Sequence, residues 1–265
     1  RLKTIANIEL KDIKNHHKRT HTLKNMRFVV AGKLTGRKSA IKEHLEGWQL
    51  ETGERFAIPH DEPRRANPVL IRRKEATNLT FGWSMVVPRE LTDEEADAMS
   101  ALNHILTGTM SSRIFGSARK KGLAYSIFSD TSVGFYDSAW DFGGQVNIDA
   151  AEKLFDIIVR ELKRVLSGSI SAEDLESVKS YSLGRYQMGA QTVGQISNFY
   201  VGRYFADDFV RDYDGVPASI LAVTSEQMIE TARQFFVADA WTLAAVSSDD
   251  KILLLKLFDK LSKLF

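Results

Sequence analysis

The sequence contains no cysteine. Disulfides, thiolate zinc sites and cysteine nucleophiles are excluded, and the redox state of the compartment stays open, since reducing and oxidising environments both tolerate such a chain. Long apolar runs are missing too: none reaches the roughly 18 to 20 residues needed to cross a bilayer. The opening residues RLKTIANIEL lack the apolar stretch of a secretory signal. A soluble chain with no membrane partner is expected, with the cytoplasm weighed slightly ahead of the periplasm. Net charge is also small, at +2, yet residues 1–38 hold eleven Lys/Arg against two acidic residues. A basic start can contact nucleic acid. No aromatic interleaving accompanies this one and the rest of the chain is acidic in balance, so a solvated face and no nucleic-acid partner are expected.

At 265 residues the chain has room for one large domain, or one domain plus a fragment of another. The segment IELKDIKNHHKRTHTLKNMRFVVAG (8–32) reads as a helix, a turn near Lys24 and Asn25, and a strand in which Met26, Phe28 and Val30 alternate. VTSEQMIETARQFFVADAWTLAAVS (223–247) has the same layout at an offset of 215, placing Ile8 on Val223, Ile13 on Met228, Phe28 on Leu243 and Val30 on Ala245. The repeat is one of pattern rather than of residues. It suggests the end of one unit followed by a whole similar unit, with a domain-sized portion preceding this sequence. On this reading residues 1–33 are the last helix and strand of a preceding homologous half. Residues 34–66, with SAIKEHLEGWQL, Gly53, Pro59, Pro63 and the run HDEPRR, are a linker. Residues 67–249 form the second domain, and 250–265 an amphipathic tail helix expected to pack on the body.

Within the second domain NLTFGWSMVV alternates, with Leu79, Phe81, Trp83, Met85 and Val87 on one face. Thr92 and Glu95 make a capping box for the following helix. SRIFGSARKK is a second helical stretch, and Gly122 stands where a left-handed cap is needed. YSIFS and WDFGGQVNI are further strands, AAEKLFDIIVRELKRVL is a helix, and Ser171 to Asp174 open a long helix running toward Tyr204. Strands in hairpin-like succession and helices in blocks give an α+β fold with a mostly antiparallel sheet packed with helices.

Several motifs fall short of chemistry. HKRTH (17–21) has the i, i+4 histidines of a zinc helix, but Lys18 stands where the glutamate base belongs and would repel the cation. AIKEH (40–44) ends like an inverted HxxEH motif, yet Ala40 cannot bind a metal. His104, in an apolar helix, is read as a satisfied, half-buried side chain. The serines of GTMSSR (108–113) have no histidine base near them in sequence and are read as a helix cap rather than a nucleophile. Arg119, with Lys120 and Lys121, complements the negative end of a helix dipole, and Tyr125 is a good strand former. From residues alone the pair is structural.

The run ILTGTMSSRIFGSARKKGLAYSIFSD resembles the most recognisable stretch of the non-catalytic half of the pitrilysin/insulinase zinc metallopeptidases, which include the mitochondrial processing peptidases. TLKNMRFVVAGKLTG is similar to the strand that ends the first half of that family, and SISAEDLESVKSYSLGRYQMG to its long helix. The resemblance covers nearly the whole chain. It implies one half of a protein built of two similar halves, the other supplying HxxEH, a distant glutamate and zinc. By the same resemblance Arg119 and Tyr125 bind the peptide substrate, the guanidinium forking onto a carbonyl and the phenol donating to the developing oxyanion. One residue fewer separates Arg119 from Gly122 than in many relatives, and a one-residue step turns a helix by about 100°, so Lys120 is the alternative occupant of the arginine position. With no HxxEH in the sequence, no catalytic residue and no metal ligand are assigned to this chain. The resemblance implies a substrate-binding half of an endopeptidase acting on peptides or unfolded polypeptides, a dimer, and an HxxEH-bearing half or subunit as partner. The alternative is a structural or binding subunit of the same fold without peptidase activity.

Overall fold

Alternation of large apolar residues with small or polar ones between Asn78 and Val87 produces the strand at the centre of the protein's sheet. The computed structural model describes residues 2–57, 60, 62–207, 209–248 and 251–265. Pro59, Asp61 of the HDEPRR run, and positions 249 and 250 at the expected start of the tail lie outside the described residues. The chain divides into two compact units: Arg1–Pro59 with Arg185–Val216, and His60–Gly184 with Pro217–Phe265.

The elements in chain order begin with three helices, α1 (Leu2–Ala6), α2 (Leu10–Thr20) and α3 (Lys38–Glu46). Two strands follow, β1 (Val69–Arg72) and β2 (Asn78–Val87), then helices α4 (Asp93–Asn103) and α5 (Phe115–Lys120). The hairpin of β3 (Ala124–Val133) and β4 (Ser138–Asn147) leads to α6 (Ala151–Leu166), α7 (Ala172–Gly189), α8 (Val193–Asp207), α9 (Val216–Ala222) and α10 (Ser225–Val237). Strand β5 (Trp241–Ser247) and helix α11 (Lys251–Ser262) end the chain. The five strands lie in the order β1-β5-β2-β4-β3. Every pairing is antiparallel except that of β1 with β5, so the expected α+β class with a mostly antiparallel sheet holds.

One face of this sheet carries the core. Leu79, Phe81, Trp83, Met85 and Val87 of β2 are buried, as are Trp140, Phe142 and Val146 of β4 and Trp241, Leu243 and Ala245 of β5. Helices α4, α6, α10 and α11 supply the apolar partners, among them Leu102, Phe155, Phe235 and Leu257. The α4 helix starts at the capping box anticipated from sequence, with Thr92 accepting from the Glu95 N–H. The tail helix α11 packs on α6, burying Leu254, Leu257 and Leu261, and Phe265 stacks on Trp241 with ring centroids 4.7 Å apart.

Three local expectations are corrected. Residues 26–31 form no strand, although the backbone at Met26 is extended (φ −119°, ψ 144°). A strand exists only against a ladder partner, and the first unit contains no other strand among its described residues. The long helix toward Tyr204 is two helices, α7 and α8. Gly189 ends the first, and Thr192 with Gln195 starts the second through a capping box, the Gln195 N–H reaching the Thr192 hydroxyl at 3.2 Å. The serines near residue 111 do not cap α5: the Ser112 hydroxyl donates to the Thr109 carbonyl at 2.7 Å and closes the preceding turn, while the capping position is Ile114. That turn comes close enough to α5 that a Cβ on Gly116 would lie 2.5 Å from the Met110 carbonyl oxygen, so only glycine fits there.

Candidate substrate-binding site

Helix α5 ends in a two-bond glycine cap. The N–H of Gly122 bonds the Arg119 carbonyl and that of Leu123 bonds the Ala118 carbonyl, both at 3.0 Å, with Gly122 at φ +64°. The cap turns the chain straight into β3. There the ladder with β4 pairs Ala124 with Val146 and then Ser126 with Gln145, leaving Tyr125 as the extra residue of a β-bulge. A bulge re-aims a side chain that a regular pleat would send elsewhere. Ala124 and Ile127 are both buried, and Tyr125 between them is 76% exposed.

Arg119 lies over this phenol ring, its guanidinium carbon 5.5 Å from the ring centroid. At that distance the cation is attracted to the π-face, and each side chain limits the freedom of the other. Both line a cavity of about 530 Å³ together with Asn78, Gln145 and Asn147 and with Gly122, Leu123 and Ala124. Asn78 and Asn147 are direct cross-strand partners. Their neighbours Leu79 and Val146 point into the core, so the two asparagines and Gln145 stand on the opposite, open face of the sheet. Sequence reading singled out Arg119 and Tyr125 and passed over these three carboxamides. Lys120 does not line the cavity.

The other singled-out residues have local roles. His104 bonds the Ser100 carbonyl through Nδ1 at 2.7 Å and packs on the Tyr181 ring. His17 and His21 stack face to face with centroids 4.0 Å apart, and Lys18 pairs with Glu51 at 3.3 Å.

A family model described as the peptidase M16 inactive domain matches residues 7–181. The chain belongs to this family, which is the zinc-peptidase family that the motifs resemble. It is 26% identical over 200 residues to the uncharacterized zinc protease YmxG of Bacillus subtilis, covering 71% of this chain and 46% of that protein. The uncharacterized zinc protease SCO5738 of Streptomyces coelicolor is 30% identical over 145 residues, 54% of this chain and 31% of its own length. In fold, the chain is similar to a protease from Helicobacter pylori, with a TM-score of 0.77 at 18% identity over 93% of this chain and 61% of that one. The chain thus spans less than half the length of the two curated relatives. Zinc is the metal those relatives' names imply. The residues here do not fit it: among the described residues no group of three histidine, cysteine or carboxylate side chains could hold a metal ion. None of the described helices is long and apolar enough to cross a membrane.

Proposed function

We propose that this chain is the non-catalytic, substrate-holding half of a zinc-dependent endopeptidase, and that cleavage needs an HxxEH-bearing half or subunit beside it. The observation that carries the reading is the exposed Arg119–Tyr125 pair in a polar cavity on the open face of the sheet. A buried pair would have been packing. Among the described residues the exposed Arg119 guanidinium meets only the Tyr125 ring, so it keeps its five N–H donors for a ligand and the phenol keeps its O–H. In the proposed complex Arg119 forks onto a carbonyl of an extended peptide and Tyr125 donates to the oxygen on which charge develops during attack. Zinc chemistry belongs to the other half, where bound metal would activate water. Unfolded or short polypeptides are the proposed substrates, and the two halves together are the proposed dimer.

The domain reading is part of the proposal. Residues 1–33 supply the closing helix of a preceding half and a segment that becomes its last strand only when that half's sheet pairs with it, joined through 34–66 to the domain at 67–249 and the tail at 250–265. The exposure of Phe28 and Val30, which pair with no strand among the described residues, supports this, since both would be covered by a sheet of the preceding half.

The test is to combine the chain with an HxxEH-bearing half or subunit and measure cleavage of a long unstructured peptide. Tyr125→Phe is expected to lower kcat by about 100- to 1000-fold, the loss of one donor to a developing oxyanion. Arg119→Ala is expected to lower kcat/KM to a similar extent. Unchanged cleavage in both variants sinks the site assignment, and no cleavage by the wild-type combination favours the structural subunit instead.

A further inference from the structure

The cavity beside Arg119 has a second set of polar groups. Asn78, Gln145 and Asn147 line it from two neighbouring strands, and none of their side chains has a hydrogen-bond partner among the described residues. No carboxylate lines the cavity. A carboxamide offers one C=O acceptor and one NH₂ donor, the same pair of functions as a peptide group. Three of them on a sheet face can therefore bond both the N–H and the C=O groups of a second backbone.

The spacing fits that partner. Gln145 and Asn147 are two residues apart on one strand, so their Cα atoms are about 6.8 Å apart at a rise of about 3.4 Å per residue. Two-residue steps along an extended chain have the same length and bring the same backbone groups to one side. Asn78, directly across from Asn147, widens the row to a second strand. A lone anion such as a chain-terminal carboxylate uses less of the site: it accepts from the NH₂ groups only and leaves the three carboxamide oxygens to water.

We propose that Asn78, Gln145 and Asn147 hold the main chain of an extended polypeptide, without regard to its side chains, and so set the position of the segment that Arg119 and Tyr125 engage. The proposal rests on the peptide-holding reading above and adds three positioning residues and a basis for broad sequence tolerance.

Fluorescence anisotropy on the 265-residue chain tests it, with a labelled, unstructured Gly/Ser/Ala peptide carrying a blocked C-terminus. The same peptide N-methylated at alternate residues is the partner probe. Wild type is expected to bind the plain peptide, and the pair Gln145→Ala with Asn147→Ala to bind it roughly tenfold more weakly, as two net hydrogen bonds are lost. N-methylation is expected to weaken binding to wild type by a similar factor and to add little in the double variant, a coupling that mere loss of structure would not produce. Gln145→Glu keeps shape and acceptor, removes the donor, and is expected to show an intermediate loss with an unchanged circular dichroism spectrum.

If Arg119→Ala weakens binding while the carboxamide variants bind like wild type, the carboxamide proposal fails and the Arg119–Tyr125 reading stands. Binding that requires a free C-terminal carboxylate also overturns it. If the wild-type chain binds no peptide, both fall.

Discussion

Residues 8–32 and 223–247 are built alike down to their helix starts. The Asp12 carboxylate accepts from the Glu9 N–H at 2.9 Å at the head of α2. At the head of α10 the Gln227 side chain accepts from the Thr224 N–H, also at 2.9 Å, and the two pairs sit at the same offset of 215. Burial separates them. Met228, Leu243 and Ala245 are in the core, whereas their counterparts Ile13, Phe28 and Val30 are 57%, 44% and 48% exposed. Local capping and apolar periodicity thus make the helix in both copies, but the strand forms only in the copy whose own unit holds a sheet among its described residues. Helical hydrogen bonds close within a segment, and strand hydrogen bonds need a neighbour.

The largest difference between the copies should be in stability. Leu243→Ala opens a void in the core and is expected to cost about 2–5 kcal/mol, against less than about 1 kcal/mol for Phe28→Ala. Urea unfolding of both variants measures this. Equal costs would mean that Phe28 is as well packed as Leu243, and the contrast would be gone.

The second effect concerns how α10 is anchored. Its Gln234 donates to Glu95 at 3.2 Å, and Glu95 takes a two-pronged bond from Arg89 at 2.6 and 2.7 Å. Arg89 also donates to Gln234. The Arg89 hydrogen bonds hold the Glu95 carboxyl down to about 2, from an ordinary 4.5. A carboxyl depressed in the folded state stabilises fully above about pH 4.5, and that contribution is lost as pH falls toward 2. Glu95→Gln is expected to cost up to about 2–3 kcal/mol near neutral pH, at about 1.4 kcal/mol per unit, and progressively less below pH 4.5. Denaturation midpoints across pH 2–7 test the sign. A difference that grows toward low pH refutes the pairing.

The smallest effect is at the caps. Thr224→Ala is expected to lower stability by about 1 kcal/mol and Asp12→Ala by no more than half of that, since fraying of an exposed helix exposes little that was buried. Hydrogen exchange at the first turns of α2 and α10 would sharpen the comparison: α2 amides should exchange faster in the wild type.

Features encoded within one segment were legible in the sequence. The β2 alternation, the Thr92–Glu95 box and the left-handed Gly122 each follow from a rule spanning a few residues. Features that depend on register were not. Asn78 is some seventy positions from Asn147 in the chain, and nothing in the intervening pattern says that β2 and β4 pair residue for residue to bring them together. The break between α7 and α8 does not show in the sequence, because Thr192 and Gln195 lie inside a stretch that otherwise reads as continuous helix. Arg185–Val216 falls in one unit with the N-terminal segment through contacts such as the Arg55 guanidinium on the Phe205 carbonyl at 2.7 Å, a pairing that no periodicity signals.

The bulge at Tyr125 makes the count of residues between Gly122 and Ile127 a fixed quantity. Removing one would put a hydrophobic side chain outside or the phenol inside, since a pleat has only two sides. Insertions and deletions should therefore be tolerated far better in the β3–β4 turn than in these six positions, and a library of single-residue indels would show the boundary as a sharp drop in folded protein.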